Sequence, residues 1–167
     1  MSAAVADEVV LRDGACVQLR RMEEEDAPRL VRFHDTLSSE TVYLRFFSVH
    51  PHLSDPEVHR FTHVDHRDRE AIVALHGDDI VAVARYDRMP DGDEAEVAFV
   101  VTDAWQGLGL GSALLGRLAD MARAEGVTRL RAETLPRNRR MLAVFHHSGL
   151  PLRTKVEDGV VHAVLDL

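Results

Sequence analysis

Between Trp105 and Ser112 the chain reads Gln106-Gly107-Leu108-Gly109-Leu110-Gly111, with glycine at three alternate positions. An apolar alternating run, Glu94–Val101, precedes this stretch, and a helical period over 110–125 follows it at once. The pattern reads as a strand that turns tightly into a helix. Glycines there let a ligand approach the backbone closely, and the free N–H groups of the first helical turn face it. Those N–H groups and the helix dipole together make a phosphate site. A P-loop needs a glycine followed by lysine, and the only lysine in the chain is Lys155. A dinucleotide fingerprint needs Gly-x-Gly-x-x-Gly early in a parallel βαβ unit, whereas this turn is Gly-x-Gly-x-Gly and follows three consecutive strands.

The periodicity around that turn organises the chain as one α/β domain. Residues 16–20 alternate as a strand, and 24–37 follow with Leu30, Val31, Phe33 and Leu37 at mainly helical spacing. Ser38 to Thr41 caps a second helix carrying Val42, Leu44, Phe46 and Phe47, and Ser54-Asp55-Pro56-Glu57 opens a short third one. The period then changes to two: 71–75 and 80–85 form a hairpin around His76-Gly77-Asp78-Asp79, and a turn at 90–93 leads into Glu94–Val101. After the helix at 110–125 come a strand over 130–134, a helix over 138–148, and a hairpin of 152–157 and 160–165 around Asp158-Gly159. The expected order is β-α-α-β-β-β-α-β-α-β-β, with residues 1–14 as an N-terminal extension and 15–167 as the domain.

Composition narrows the partners. Twenty-eight acidic residues against 20 basic ones give a net charge of −8, which argues against nucleic acid or an anionic membrane surface. The single cysteine, Cys16, allows no intrachain disulfide, and the N-terminus has neither a basic flank nor an apolar core, so the expected location is cytoplasmic. With so few lysines, phosphate binding is expected from the backbone amides of Gly107 to Gly111 and not from basic side chains. The acidic run Glu23 to Asp26 reads as a helical first turn favoured by the dipole. His63, Asp65 and His66 are too closely spaced, with no third matching element, for a metal site, so none is expected.

Gln106-x-x-Gly109-x-Gly111 resembles the acyl-CoA pyrophosphate loop of the GCN5-related N-acetyltransferase (GNAT) family, Gln/Arg-x-x-Gly-x-Gly/Ala between the fourth strand and the next helix. Asn138 and the helix ending His147-Ser148-Gly149-Leu150 are similar to that family's second CoA-contacting element. Tyr43 to Phe47, Arg60 to Arg69 and Ala95 to Val101 resemble bacterial protein lysine acetyltransferases of the Pat type. The resemblance implies a mixed, mostly antiparallel sheet flanked by helices and acetyl-CoA as co-substrate. It implies an acceptor amine, foremost a lysine of a protein, attacking directly in a ternary complex. It assigns Glu96 as general base, backbone groups of Ala98, Phe99 and Val100 to the pantetheine arm, and Gln106, Gly107, Leu108, Gly109, Leu110, Gly111 and Ser112 to the pyrophosphate. Asn138 either hydrogen-bonds the pantetheine or caps its helix.

The base is worth having, because a neutral lysine amine at pH 7 costs about 4–5 kcal/mol. Strand alternation places Glu96 with Ala98 and Val100, where partial burial is expected to suit it to proton transfer. Phe145 stands where many relatives place a tyrosine acid, leaving water, His146 or an unassisted thiolate for the departing sulfur. Two other readings stand beside the protein substrate: acetylation of a small amine or amino acid, favoured by a closed aromatic pocket, and a non-catalytic acyl-CoA-binding module. An open groove flanked by acidic residues favours the protein.

Overall fold

The structure is a computed structural model that describes residues 7–90 and 92–167; the first six residues of the segment read as an extension, and Asp91 of the 90–93 turn, lie outside them. In chain order its elements are β1 (Asp7–Val10), β2 (Cys16–Arg21), α1 (Ala27–Asp35), α2 (Ser39–Phe46), α3 (Asp55–Thr62), β3 (Arg69–His76), β4 (Asp79–Arg88) and β5 (Glu94–Val101). These are followed by α4 (Leu110–Ala124), β6 (Arg129–Thr134), α5 (Arg139–His146), β7 (Leu152–Glu157) and β8 (Val160–Asp166). The serines act as caps: Ser38 Oγ accepts from Thr41 N–H at 3.1 Å and Ser54 Oγ from Glu57 N–H at 3.2 Å. Glu57 closes a capping box by accepting from Ser54 N–H at 3.0 Å. Such a cap contributes about 1 kcal/mol.

One eight-stranded sheet runs β1-β2-β3-β4-β5-β6-β8-β7, antiparallel at every junction except the parallel β5–β6 pair. Its central strands β3 and β4 are apolar on both faces because helices cover both. Ile72 and Ala74 join Leu114, Leu115 and Leu118 of α4 in one core, while Ala71 and Val73 join Leu30 and Phe33 of α1 in the other. Burying those three α4 leucines contributes roughly 5–9 kcal/mol. At the margin, β7 exposes Arg153, Thr154 and Lys155, polar side chains that discourage pairing with another chain.

The structure departs from the expected order in three places. Residues 7–10, inside the segment read as an extension, pair with β2 from Asp7↔Leu19 to Val10↔Cys16. Three helices lie between β2 and β3, the third being the short one that Ser54 opens, which the expected order left out. The 24–37 helix splits into a 3-10 turn, Glu24–Asp26, and α1, whose first turn holds Pro28. Asp26 is consequently no surface acid. It is fully buried, gripped by both Arg20 nitrogens at 2.7 Å and by Glu23 N–H at 2.8 Å, with Arg29 at 3.4 Å.

The parallel junction makes the opening in the sheet. β5 pairs with β6 only from Glu94↔Arg129 to Glu96↔Arg131, yet stays paired with β4 as far as Val101↔Ala82. Meanwhile β6 continues along β8 to Thr134↔Val161. From Val97 to Val101, therefore, one edge of β5 is open in the middle of the sheet.

Candidate active site

Two cavities flank that opening. The larger, about 570 Å³, is lined by the glycine turn, by Phe99, Val100 and Val101 of β5, by α5 from Arg139 to Val144, and by Thr41, Leu44 and Arg45 of α2. Gly107 and Gly109 hold φ of +77° and +92°, a left-handed backbone that a Cβ would strain. Gly111 has another role: a Cβ there would stand 3.1 Å from Val144 Cγ2, so its absence lets α4 and α5 close together.

Most of the expected donor-site residues meet here. Gln106, Gly107, Gly109, Leu110, Gly111, Ser112, Phe99, Val100 and Asn138 all line the larger cavity. Leu108 does not; its carbonyl accepts from Arg12 N–H at 3.2 Å. The Gln106 N–H is directed at Asp103 O at 3.3 Å, so this residue works through its side chain. Its Nε2 donates to Thr41 Oγ1 at 3.1 Å and Val101 O at 2.9 Å, and its Oε1 accepts from Arg140 at 2.6 Å, tying α2, β5 and α5 to the turn. Asn138 caps α5, its Oδ1 accepting from Met141 N–H at 3.3 Å, and lines both cavities.

Basic side chains also stand in the larger cavity, which the expectation of backbone amides alone left out. Arg12, Arg137, Arg139 and Arg140 line the same cavity, along with Arg45. Arg137 is braced by Glu40 at 2.9 Å and stacked 5.1 Å over Tyr43, and Arg12 reaches Gly107 O at 3.4 Å. Arg137, Arg139 and Arg140 flank Asn138 in sequence and could have been read there. Arg12 gave no signal, because β1 brings it from the far end of the chain.

The smaller cavity, about 380 Å³, shares Leu44, Arg45, Phe99, Asn138 and Met141 with the first. Glu96 and Ala98 lie in it, on one sheet face with Asp87 and Arg85, their cross-strand partners on β4. Glu96 is exposed, contrary to the partial burial expected, because β6 leaves the ladder immediately beyond it. Three other carboxylates line the cavity, and each has a partner: Asp87 meets Arg69 at 3.0 Å, Glu57 meets His50 at 2.9 Å and Glu133 meets His162 at 3.6 Å. Among the described residues Glu96 has none.

Phe46, Phe47, Phe61 and Phe145 supply apolar wall. Phe145 is buried and meets Phe99 edge-on at 6.3 Å, so no proton donor stands in the tyrosine position. His146 is exposed and lines neither cavity, while His147 lines the larger one. The histidines upstream are engaged elsewhere: His63 stacks on His59 at 3.7 Å and His66 bonds Glu70 at 2.7 Å, while Asp65 accepts from Arg67 and Arg69 N–H groups. Among the described residues, no helix is long and apolar enough to cross a membrane.

This arrangement matches known proteins over most of its length. The family model for the acetyltransferase (GNAT) family matches residues 29–150. The GNAT domain of S. lividans PAT superposes with a TM-score of 0.91 at 45% identity, covering 97% of each chain. Acetyltransferase PA5475 of Pseudomonas aeruginosa is 31% identical over 135 residues, 78% of this chain and 73% of its own length. Acetyltransferase Pat of Mycolicibacterium smegmatis is 33% identical over 162 residues; these are 95% of this chain but 48% of that protein, so the chain spans about half its length. Fold, turn and sequence agree that the chain belongs to the acetyltransferase (GNAT) family.

Proposed function

We propose that the acceptor is the ε-amine of a lysine in a protein, and that Glu96 removes its proton. The observation that carries this reading is Glu96 itself, the one carboxylate of the smaller cavity without a partner among the described residues, at the point where β5 and β6 part. A base that must take up a proton is best left without a competing partner, and each of the other three acids there has one. The likeness to Pat proteins and the acidic flanks of the cavity support a protein acceptor. The exposed free thiol of Cys16 suits a reducing, cytoplasmic setting.

In the proposed reaction the acetyl-CoA phosphates lie at the glycine turn, with the pantetheine along the open edge of β5 as an added strand would lie. Glu96 takes the ammonium proton directly or through water, and the neutral nitrogen attacks the thioester carbon. A backbone N–H of the open edge meets the developing oxyanion. The C–N bond stays, the C–S bond breaks, CoA leaves as thiolate, and the second proton that the nitrogen sheds on becoming an amide goes to that thiolate, giving the CoA thiol. A thiol pKa near 8.5 makes that departure feasible without an acid in place of Phe145. A non-catalytic module would have no use for such a base.

The aromatic wall favours a second reading, a small amine or amino acid acceptor. Mass-spectrometric mapping of sites acetylated in a lysate with acetyl-CoA separates the two: modified protein lysines support the first, and modification confined to small amines supports the second. For the base, Glu96→Gln is expected to slow transfer at pH 7 by roughly 10²–10⁴-fold. The deficit should shrink as pH rises and the amine deprotonates unaided. An unchanged rate at pH 7 removes Glu96 from the mechanism.

A further inference from the structure

We propose that the smaller cavity contains a carboxylate-binding subsite centred on Arg85, and that the amine acceptor carries a carboxylate that docks there. The proposal deepens the acceptor reading above and rests on it for the reaction, though not for the binding.

Arg85 sits in the middle of β4, opposite Ala98, and is 6% exposed. Its guanidinium lies 4.4 Å over the Phe61 ring and has one acceptor, Phe61 O, at 3.4 and 3.5 Å, for five N–H groups. Among the described residues no carboxylate lies within 4.0 Å of it, and Asp87, two residues on, is held by Arg69. Among the described residues, the buried carboxylates are answered in full. Asp26 has Arg20 in bidentate contact, and Glu70 has His66, Arg21 and the Ala71 N–H.

The surroundings of Arg85 add positive charge. Arg45 and Arg60 line the same cavity, and among the described residues neither is ion-paired. Burial, and then Arg45, push Arg85 down to about 9 against the pull of Asp87, which still leaves it charged at neutral pH. An unanswered guanidinium facing a cavity is costly to an empty fold and fits a planar anion supplied from outside. A carboxylate matches the guanidinium fork with two parallel hydrogen bonds. It would also offset the repulsion that three arginines exert on an incoming ammonium.

The test measures kcat/KM with acetyl-CoA in two arms. One compares end-blocked lysine peptides with Glu or Gln beside the lysine; the other compares Nα-acetyl-lysine with its amide. Charge-assisted hydrogen bonds of this kind predict a preference for the carboxylate of roughly 10- to 100-fold in at least one arm. The arm that shows it identifies the source as an acidic neighbour or a free α-carboxylate. In Arg85→Met the preference should fall to within about twofold while the urea midpoint holds or rises, since a buried unpaired charge is gone. Arg85→Lys should recover part of it. No preference in either arm, or a preference that survives in Arg85→Met with a lowered midpoint, overturns the subsite. If no lysine acceptor of either arm is acetylated, the lysine reading fails separately. Glutarate is then the probe: a rise in melting temperature in wild type and not in Arg85→Met upholds the subsite, and no rise overturns it.

Discussion

The same substitution at three glycines around α4 should give three different outcomes. Gly116 lies exposed within the helix, and a Cβ there meets nothing within 4 Å. Gly116→Ala should therefore stabilise by about 0.5–1 kcal/mol through backbone entropy alone. Gly109, with φ of +92°, has room for a Cβ, whose nearest neighbour is Arg12 Nε at 3.7 Å; what it lacks is a permitted backbone. Gly109→Ala should lose about 1–2 kcal/mol, the left-handed penalty of an L-residue. At Gly111 the backbone is helical but Val144 Cγ2 stands 3.1 Å from the added carbon. There the helical gain opposes an overpacking cost of about 1–3 kcal/mol, leaving a small net loss. Its chief effect should be on function, because yielding means α5 moving away from the turn and widening the donor cavity. The lone tryptophan, Trp105, lines that cavity and reports both processes by fluorescence. With a slope of about 1–3 kcal/mol per molar urea, each kcal/mol shifts the midpoint by roughly 0.3–1 M. Expected are a raised midpoint for Gly116→Ala, a lowered one for Gly109→Ala, and for Gly111→Ala a nearly unchanged midpoint with weakened acetyl-CoA binding. Equal midpoints for Gly109→Ala and Gly116→Ala would refute the left-handed turn, and unaltered binding in Gly111→Ala would refute the helix contact as what shapes the cavity.

Two further predictions concern buried ionisable groups. Asp26→Asn should cost about 3–5 kcal/mol at pH 7, since Arg20 is left without its partner. Burial raises the Asp26 carboxyl, but Arg20 and the Glu23 N–H outweigh it and hold it below the ordinary value of 3.8. Its contribution is thus complete above that value and lost as pH falls through the lower folded one, so the urea midpoints of variant and wild type should converge in acid; a constant gap contradicts this. Tyr86, donating to Arg67 O at 2.8 Å, is pushed up to about 12 by burial, with Glu70 and Glu125 adding to it. The folded phenol keeps its proton while the unfolded one ionises near 10, so stability should fall between those pH values. In Tyr43→Phe the remaining phenolate absorbance should appear near 12; appearance near 10 with native circular dichroism would show Tyr86 to be accessible.

What the sequence disclosed was local. Glu94–Val101 and a helix from Leu110 were readable because alternation, three glycines and a helical period follow one another within a short stretch, and Ser38 and Ser54 announce their helices by capping chemistry. What it withheld depends on distant neighbours. Asp7-Glu8-Val9-Val10 has no distinctive pattern and becomes a strand only because β2 offers it an edge. Glu96 looks half-buried by alternation, and its exposure follows from β6 diverging after Arg131. Arg85 ends an apolar run as many strand-terminal arginines do, and only the Phe61 ring of α3, packed over it, turns it into a buried charge.

Net charge was the most misleading of the global quantities. A value of −8 argues against anionic partners, yet seven of the arginines line the two cavities, and the donor cavity has five with no carboxylate among its lining residues. The field that a phosphate-bearing donor meets is therefore positive at the cleft whatever the sum over the chain. That these residues are arginine has a chemical consequence. A guanidinium pairs with phosphate or carboxylate through two hydrogen bonds and stays protonated, whereas an ε-amine loses its proton readily when buried and becomes a nucleophile. In an enzyme that delivers an activated acetyl group to amines, lysines lining the donor cleft would compete with the acceptor for the thioester. Here the only lysine, Lys155, lies on the edge strand β7, outside both cavities and paired with Glu157 at 3.1 Å. At the proposed donor site, an all-arginine cleft supplies positive charge without offering the thioester an amine to acetylate.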